Sequence, residues 1–142
     1  MPPDRPDPVD RGQARALGLI VHSGAYEKVA YAWVMATAAA AINRPVLVFV
    51  TEDAVDVLRP DGWRQLAGDP VATEALERAR GVASLPELIA MAETLGIRVI
   101  ACEMALRRRG FDAAELDPAR AIEVAGLVTL YTVTATGQIV FI

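Results

Sequence analysis

Residues 17–50 read LGLIVHSGAYEKVAYAWVMATAAAAINRPVLVFV, and the order of textures in that stretch decides the fold. Leu17 to Val21 is a short apolar run that stops at His22-Ser23-Gly24. Strong helix formers follow from Ala25 to Ile42 with no breaker among them. Asn43-Arg44-Pro45 ends that helix, because proline disfavours helical geometry in the residue before it. Val46 to Val50 is then a continuous β-branched and aromatic run, apolar on both faces, as a central parallel strand is. The unit reads strand, tight loop, helix, strand.

The same texture recurs downstream. Ser84-Leu85-Pro86-Glu87 pairs a serine cap with a glutamate three residues on, opening a helix that runs to Leu95 and closes at Gly96. Arg98 to Ala101 (RVIA) follows as the next strand, and Glu103 to Arg109 as the next helix. Repeated strand and helix alternation predicts an α/β domain built on an open, mostly parallel sheet. Thr51 to Ala83 is broken by Pro60, Gly62, Gly68, Pro70 and Gly81 into short helical pieces near Ala54 to Leu58 and Ala72 to Arg80. That stretch is expected to lie as a lid or interface segment over the strand ends. Leu127 to Thr136 (LVTLYTVTAT) has strand propensity, and Gln138 to Ile142 (QIVFI) reads as a terminal strand after Gly137.

At the other end, Met1 to Ala16 is rich in proline, aspartate and arginine. Residues 1–15 are expected to be a tail outside a single folded unit spanning 16–142, with no apolar core for a signal peptide. Two uncharged stretches invite a membrane reading. Val29 to Asn43 is short and mostly alanine, and Val124 to Ile142 is diluted by glycine, threonine and glutamine, so neither is expected to span a bilayer.

The chain has 142 residues, 54% of them hydrophobic and 23% charged, enough for a full core without disulfides or metal. The net charge of -4 offers no long-range attraction to nucleic acid or anionic membranes. One cysteine and one histidine exclude an internal disulfide and a His/Cys metal cluster, and no cofactor is expected. A reducing, cytoplasmic compartment fits. So apolar a composition in a short chain also points to a patch that a second copy covers.

In open parallel sheets, ligands bind outside the carboxyl ends of the strands. Three loops occupy that edge: His22-Ser23-Gly24, Thr51-Glu52-Asp53 and Cys102-Glu103-Met104. The only histidine and the only cysteine both fall there. Cys102 at a strand-to-helix junction is expected to sit near unpaired backbone N–H groups, which favour thiolate over thiol. The bland alternative is a small inert hydrophobe at a buried strand end. His22 either assists the cysteine or only shapes the pocket. Ser23 and Gly24 at a helix start can cradle an anion with backbone amides, although no nucleotide fingerprint is present. Glu52 and Asp53 read as helix-start charges more readily than as an acid/base dyad. Arg107 to Arg109 either adds to the field at the thiol or forms a solvated or partner-facing patch.

GLIVHSGAYEKVAYAWVMATAAAA, PVLVFVTEDAVDVLR, SLPELIAMAETLGIRVIACEMAL and the closing IVFI, in that order and spacing, resemble the DsrE/DsrF-like proteins, which include sulfur-carrier and sulfur-relay subunits. The resemblance runs from about Ala16 to Ile142, and its most specific element is a cysteine directly after the third strand. It implies a Rossmann-like sheet of about five strands with helices on both faces, and assembly as trimers or hexamers. It implies that Leu127 to Ala135 is a crossover helix, which overrides the strand propensity there. It also implies that Cys102 carries sulfur as a persulfide. The strand-end loops then offer His22 as an assisting residue and Ser23, Gly24, Glu52, Asp53, Glu103 and Met104 as the surrounding ligand-binding residues. The chain departs from the pattern at Ala105, where relatives often have a small hydroxyl residue, and in the basic run Arg107 to Arg109. With no second cysteine, the sulfur would leave to a partner thiol or acceptor protein. The competing expectation is a non-catalytic oligomeric subunit that binds a small anion or serves assembly, with Cys102 as a passive wall.

Overall fold

The computed structural model describes residues 15–142. The expected N-terminal tail therefore lies, except for Arg15, outside the described residues. Five strands form one sheet: β1 (Leu17–Val21), β2 (Val46–Val50), β3 (Arg98–Cys102), β4 (Ile122–Ala125) and β5 (Gln138–Phe141). Their order is β4-β3-β2-β1-β5, and every pairing is parallel. The helices are α1 (Tyr26–Ala41), α2 (Pro70–Ala79), α3 (Leu85–Thr94), α4 (Glu103–Arg109) and α5 (Leu127–Val133).

The sequence accounts for most of these elements. β2 is buried at every position, which is why it carries no polar residue. In α1 the alanines let the helix approach its neighbours closely, and Trp33 and Val29 fill the interior. At α3, the Glu87 carboxylate accepts a hydrogen bond from the Ser84 N–H at 3.2 Å. Gly96, at φ 69°, supplies the left-handed turn that stops the same helix.

Leu127–Val133 is helical despite its β-branched residues, as the family resemblance implies. The reason is topological. β1, β2, β3 and β4 follow one another across the sheet, and right-handed crossovers in one direction place their helices on one face. The connection from β4 to β5 runs back past the whole sheet, so α5 lies on the other face. Gly18 in β1 makes room for it. A Cβ there would come within 2.8 Å of Thr134 Cγ2 and 2.9 Å of Leu130 Cδ1.

The middle stretch is more regular than its proline and glycine content suggests. Glu52–Leu58 and Gly62–Gln65 are 3-10 turns, and α2 starts two residues before the expected Ala72, with Pro70 at its first turn. The strand β4 has no strong signature in the sequence. It is four residues long and half exposed, and its central Glu123 is held by Arg98 of β3 through paired bonds of 2.6 and 2.8 Å.

Candidate functional site

The carboxyl ends of β1, β2 and β3 bring the three predicted loops to one edge. Val21 is in register with Val50, Val50 with Ala101, and Cys102 with Ala125. Both flanking ladders continue past the strands. The Thr51 N–H donates to the Val21 carbonyl at 2.9 Å, and the His22 N–H to the Ile142 carbonyl at 2.8 Å. Side chains alternate along a strand, so His22, Thr51, Cys102 and Ala125 form the last row on one face. Adjacent strands are about 4.8 Å apart, so extending the register one residue past Val50 and Ala101 puts Thr51 beside Cys102 and His22 roughly 10 Å away. The His22 ring leans instead on Phe141, with centroids 5.3 Å apart. His22 and Cys102 are thus on one face and in one row but do not form a pair.

Cys102 is 6% exposed. It occupies the N-cap position of α4 with extended backbone (φ -65°, ψ 115°), and its side chain makes no capping bond to the helix. The expected strand-to-helix junction is present, and the sulfur takes no hydrogen bond from the helix-start amides. Thr51, 8% exposed, is the residue that sequence reasoning missed. Its place beside Cys102 depends on the register between β2 and β3, which no local pattern reveals.

The basic run is committed to ion pairs. Arg107 binds Glu103 at 2.8 Å, Arg108 binds Glu52, and Arg109 binds Asp53 at 2.9 Å and Asp56 at 3.0 Å. Arg108 and Arg109 thereby tie α4 to the 3-10 turn that follows β2. Their charge is matched by carboxylates, so the run is not a free positive field at the thiol, while the Arg107 and Arg108 side chains stay solvated. Glu52 and Asp53 lie in the first turn of Glu52–Leu58 and face these arginines. Met104 is exposed and takes the Arg108 guanidinium at 3.5 Å on its sulfur.

Ser23 and Gly24 shape the first loop from within. The Ser23 Oγ accepts from the Ala25 N–H at 3.2 Å. A Cβ at Gly24 would come within 2.7 Å of Asp53 Cβ, so only glycine lets the first and second loops pack together. The Gly24 carbonyl accepts from the Ala67 N–H, and the Ala67 carbonyl accepts from the Tyr26 N–H. Two open grooves flank this loop. One of about 330 Å³ is lined by residues including Tyr26, Gly68, Asp69 and Thr73. The other, of about 660 Å³, runs between α1 and the end of β5, along Glu27, Lys28, Tyr31, Phe141 and Ile142. Cys102 lines neither.

Among the described residues no cluster of three His, Cys, Asp or Glu side chains is placed to hold a metal ion. No helix among them is long and apolar enough to cross a membrane.

The model of the DsrE/DsrF-like family matches residues 16–141. No curated protein matches the chain. Among solved structures, the chain is similar to the ychN protein from E. coli, at 16% identity and a TM-score of 0.59, over 92% of this chain and 100% of that one. It is likewise similar to MTH1491 from Methanobacterium thermoautotrophicum, titled a protein of unknown function, at 16% identity and a TM-score of 0.57, with the same coverage. These likenesses concern the fold: a five-stranded parallel sheet with flanking helices. With a family model matching nearly all of the described residues, the chain belongs to the DsrE/DsrF-like family.

Proposed function

We propose that this protein is a cytoplasmic sulfur carrier of the sulfurtransferase type, in which Cys102 accepts sulfane sulfur as a persulfide and passes it to a partner. The observation that carries the reading is the position of Cys102. It is the chain's only cysteine, and it ends a central strand at the sheet edge where open α/β folds bind ligands, in a chain that belongs to a family with sulfur-relay members. The first turn of α4 begins at the next residue, so the sulfur stands at a strand-to-helix junction. Discharge requires an outside thiol, because the chain contains no second cysteine to resolve the persulfide.

Self-assembly is part of the proposal. Val128 and Tyr131 of α5 and Phe141 of β5 are 77%, 55% and 66% exposed, an apolar surface that a second copy would cover. A trimer or hexamer is the expected form.

The experiment is incubation with cysteine persulfide followed by intact-mass measurement. One added sulfur on the native chain, absent from Cys102→Ser, is the expected result, and no added sulfur on the native chain overturns the reading. A second reading, an oligomeric small-anion-binding or assembly subunit, draws on the 6% exposure of Cys102. In that case Cys102→Ser keeps its ligand affinity and its oligomeric size.

A further inference from the structure

Building on the reading that Cys102 receives sulfur, we propose that the Thr51 hydroxyl is the group that holds the outer sulfur of the Cys102 persulfide. Thr51 stands at the N-cap position of Glu52–Leu58, yet its hydroxyl makes no capping bond there. Nor does it bond to any other group among the described residues. The residue is 92% removed from solvent. With no partner, its hydroxyl is free to donate to an occupant of the site. The oxygen is not among the sealed, partnerless atoms of the interior. It opens at the end of the sheet.

Direction follows from the backbone. Thr51 is extended (φ -136°, ψ 168°), and its N–H bond to Val21 continues the β2 ladder for one more residue. Alternation then puts its side chain on the face of Cys102, on the adjacent strand. In-register neighbours on adjacent strands have Cβ atoms about 5 Å apart. A persulfide sets its outer sulfur about 2.05 Å beyond Sγ. That extension brings the sulfur within reach of a hydroxyl that makes no bond to the unloaded thiol.

In the loading step the Cys102 thiolate attacks the outer sulfur of a small persulfide, R–S–SH. The Sγ–S bond forms as the donor S–S bond breaks. R–S⁻ leaves with the bonding pair and takes a proton from water, and no net electron transfer occurs. The outer sulfur now on Cys102 is a better acid than a thiol, and as an anion it accepts the hydrogen bond from Thr51 Oγ1.

The test compares native protein, Thr51→Val and Thr51→Ser. Each is equilibrated with graded cysteine persulfide, and the loaded fraction is read by intact mass. In parallel, the iodoacetamide alkylation rate of unloaded Cys102 and the thermal melt are measured. Thr51→Val keeps the β-branched shape and is expected to load about tenfold more weakly, the effect of one lost hydrogen bond to an anion. Its alkylation rate should stay within about twofold of native, and Thr51→Ser should restore loading. If Thr51→Val does not fold, Thr51→Ala removes the hydroxyl without adding volume and takes its place.

Native-like loading of Thr51→Val by a native chain that does take sulfur overturns this proposal and leaves the carrier reading intact. So does an alkylation rate that falls as far as loading does, since the effect would then lie in the thiol or the fold. A native chain that takes no sulfur overturns both.

Discussion

Arg109, the last residue of α4, grips Asp56 of the 3-10 turn after β2, with Nη2 and Oδ2 3.0 Å apart. Its other terminal nitrogen binds Asp53 at 2.9 Å. One side chain thus spans the loops that follow β2 and β3, the two strands whose ends carry Thr51 and Cys102. The Asp56 side chain is only 15% exposed, so this link is better shielded from water than an ordinary surface pair.

Asp56→Ala is expected to cost about 1–2 kcal/mol, because it removes the better shielded of the two carboxylates on a part-buried guanidinium and leaves it only the exposed Asp53. Glu103→Gln removes the exposed partner of Arg107 and should cost less than about 0.5 kcal/mol. Urea denaturation of the two variants checks the ranking. Equal costs would mean that the α4 clamp is no firmer than a surface contact.

Tyr26 gives the fold an alkaline limit. Its hydroxyl accepts the Leu85 N–H at 3.3 Å. Burial first, and then the carboxylates of Glu77 and Glu74, hold its ionisation well above the usual tyrosine range, against the lowering effect of the Leu85 N–H. The unfolded tyrosine ionises near 10 and the folded one later, so the native state binds the proton more tightly. This contribution is fully present below pH ~10 and is lost as pH rises through the folded value. Native protein should therefore lose melting temperature above pH ~10 more steeply than Tyr26→Phe. At neutral pH, Tyr26→Phe is expected to be less stable by about 1–2 kcal/mol, because the buried Leu85 N–H loses its acceptor. Parallel slopes in a pH series of thermal melts would reject the first statement.

Gly18 is expected to tolerate no side chain freely. An added Cβ meets the ends of Thr134 and Leu130, so α5 must shift outward or the two side chains must change rotamer. Gly18→Ala should cost about 1 kcal/mol and Gly18→Val about 2–3 kcal/mol, the range for overpacked cores. Thermal melts at fixed pH decide it, and native-like stability of Gly18→Val would show that α5 is loosely docked.

The elements that were legible from the sequence are those in which local chemistry and burial agree. Leu17–Val21 and Val46–Val50 are apolar because neighbours cover them, and Ser84, Glu87 and Gly96 mark the ends of α3 through the geometry of caps. Leu127–Val133 shows the opposite case. Its β-branched residues favour a strand, and the need to cross the sheet from β4 to β5 prevails. At the candidate site, the strand-end position of Cys102 could be read from one segment, whereas three other facts could not. The distance from His22 to Cys102 depends on strand order, the place of Thr51 on register, and the neutralisation of Arg108 and Arg109 on carboxylates more than fifty residues earlier. Each of these belongs to pairing between segments, which single-segment propensity does not encode.

The exposed apolar surface supplies the last prediction. β5 is an edge strand, and Phe141 near its end is 66% exposed beside Tyr31 of α1, 63% exposed. Edge strands on monomers are usually blunted by charge or proline, and QIVF has neither. Covering one such aromatic side chain is worth about 2 kcal/mol, and in a closed symmetric assembly the gain recurs at every interface. Phe141→Glu should therefore dissociate or shrink the assembly while leaving the fold intact, since the side chain points away from the core. Light scattering checks the mass and far-ultraviolet circular dichroism checks the fold. A native protein that scatters as a monomer, or a Phe141→Glu variant with native mass, would show that this surface is left open in solution. The same variant tests the relation of assembly to the site, because Phe141 is also the ring against which His22 rests. If sulfur loading of Cys102 survives the loss of assembly, the site is complete within one chain.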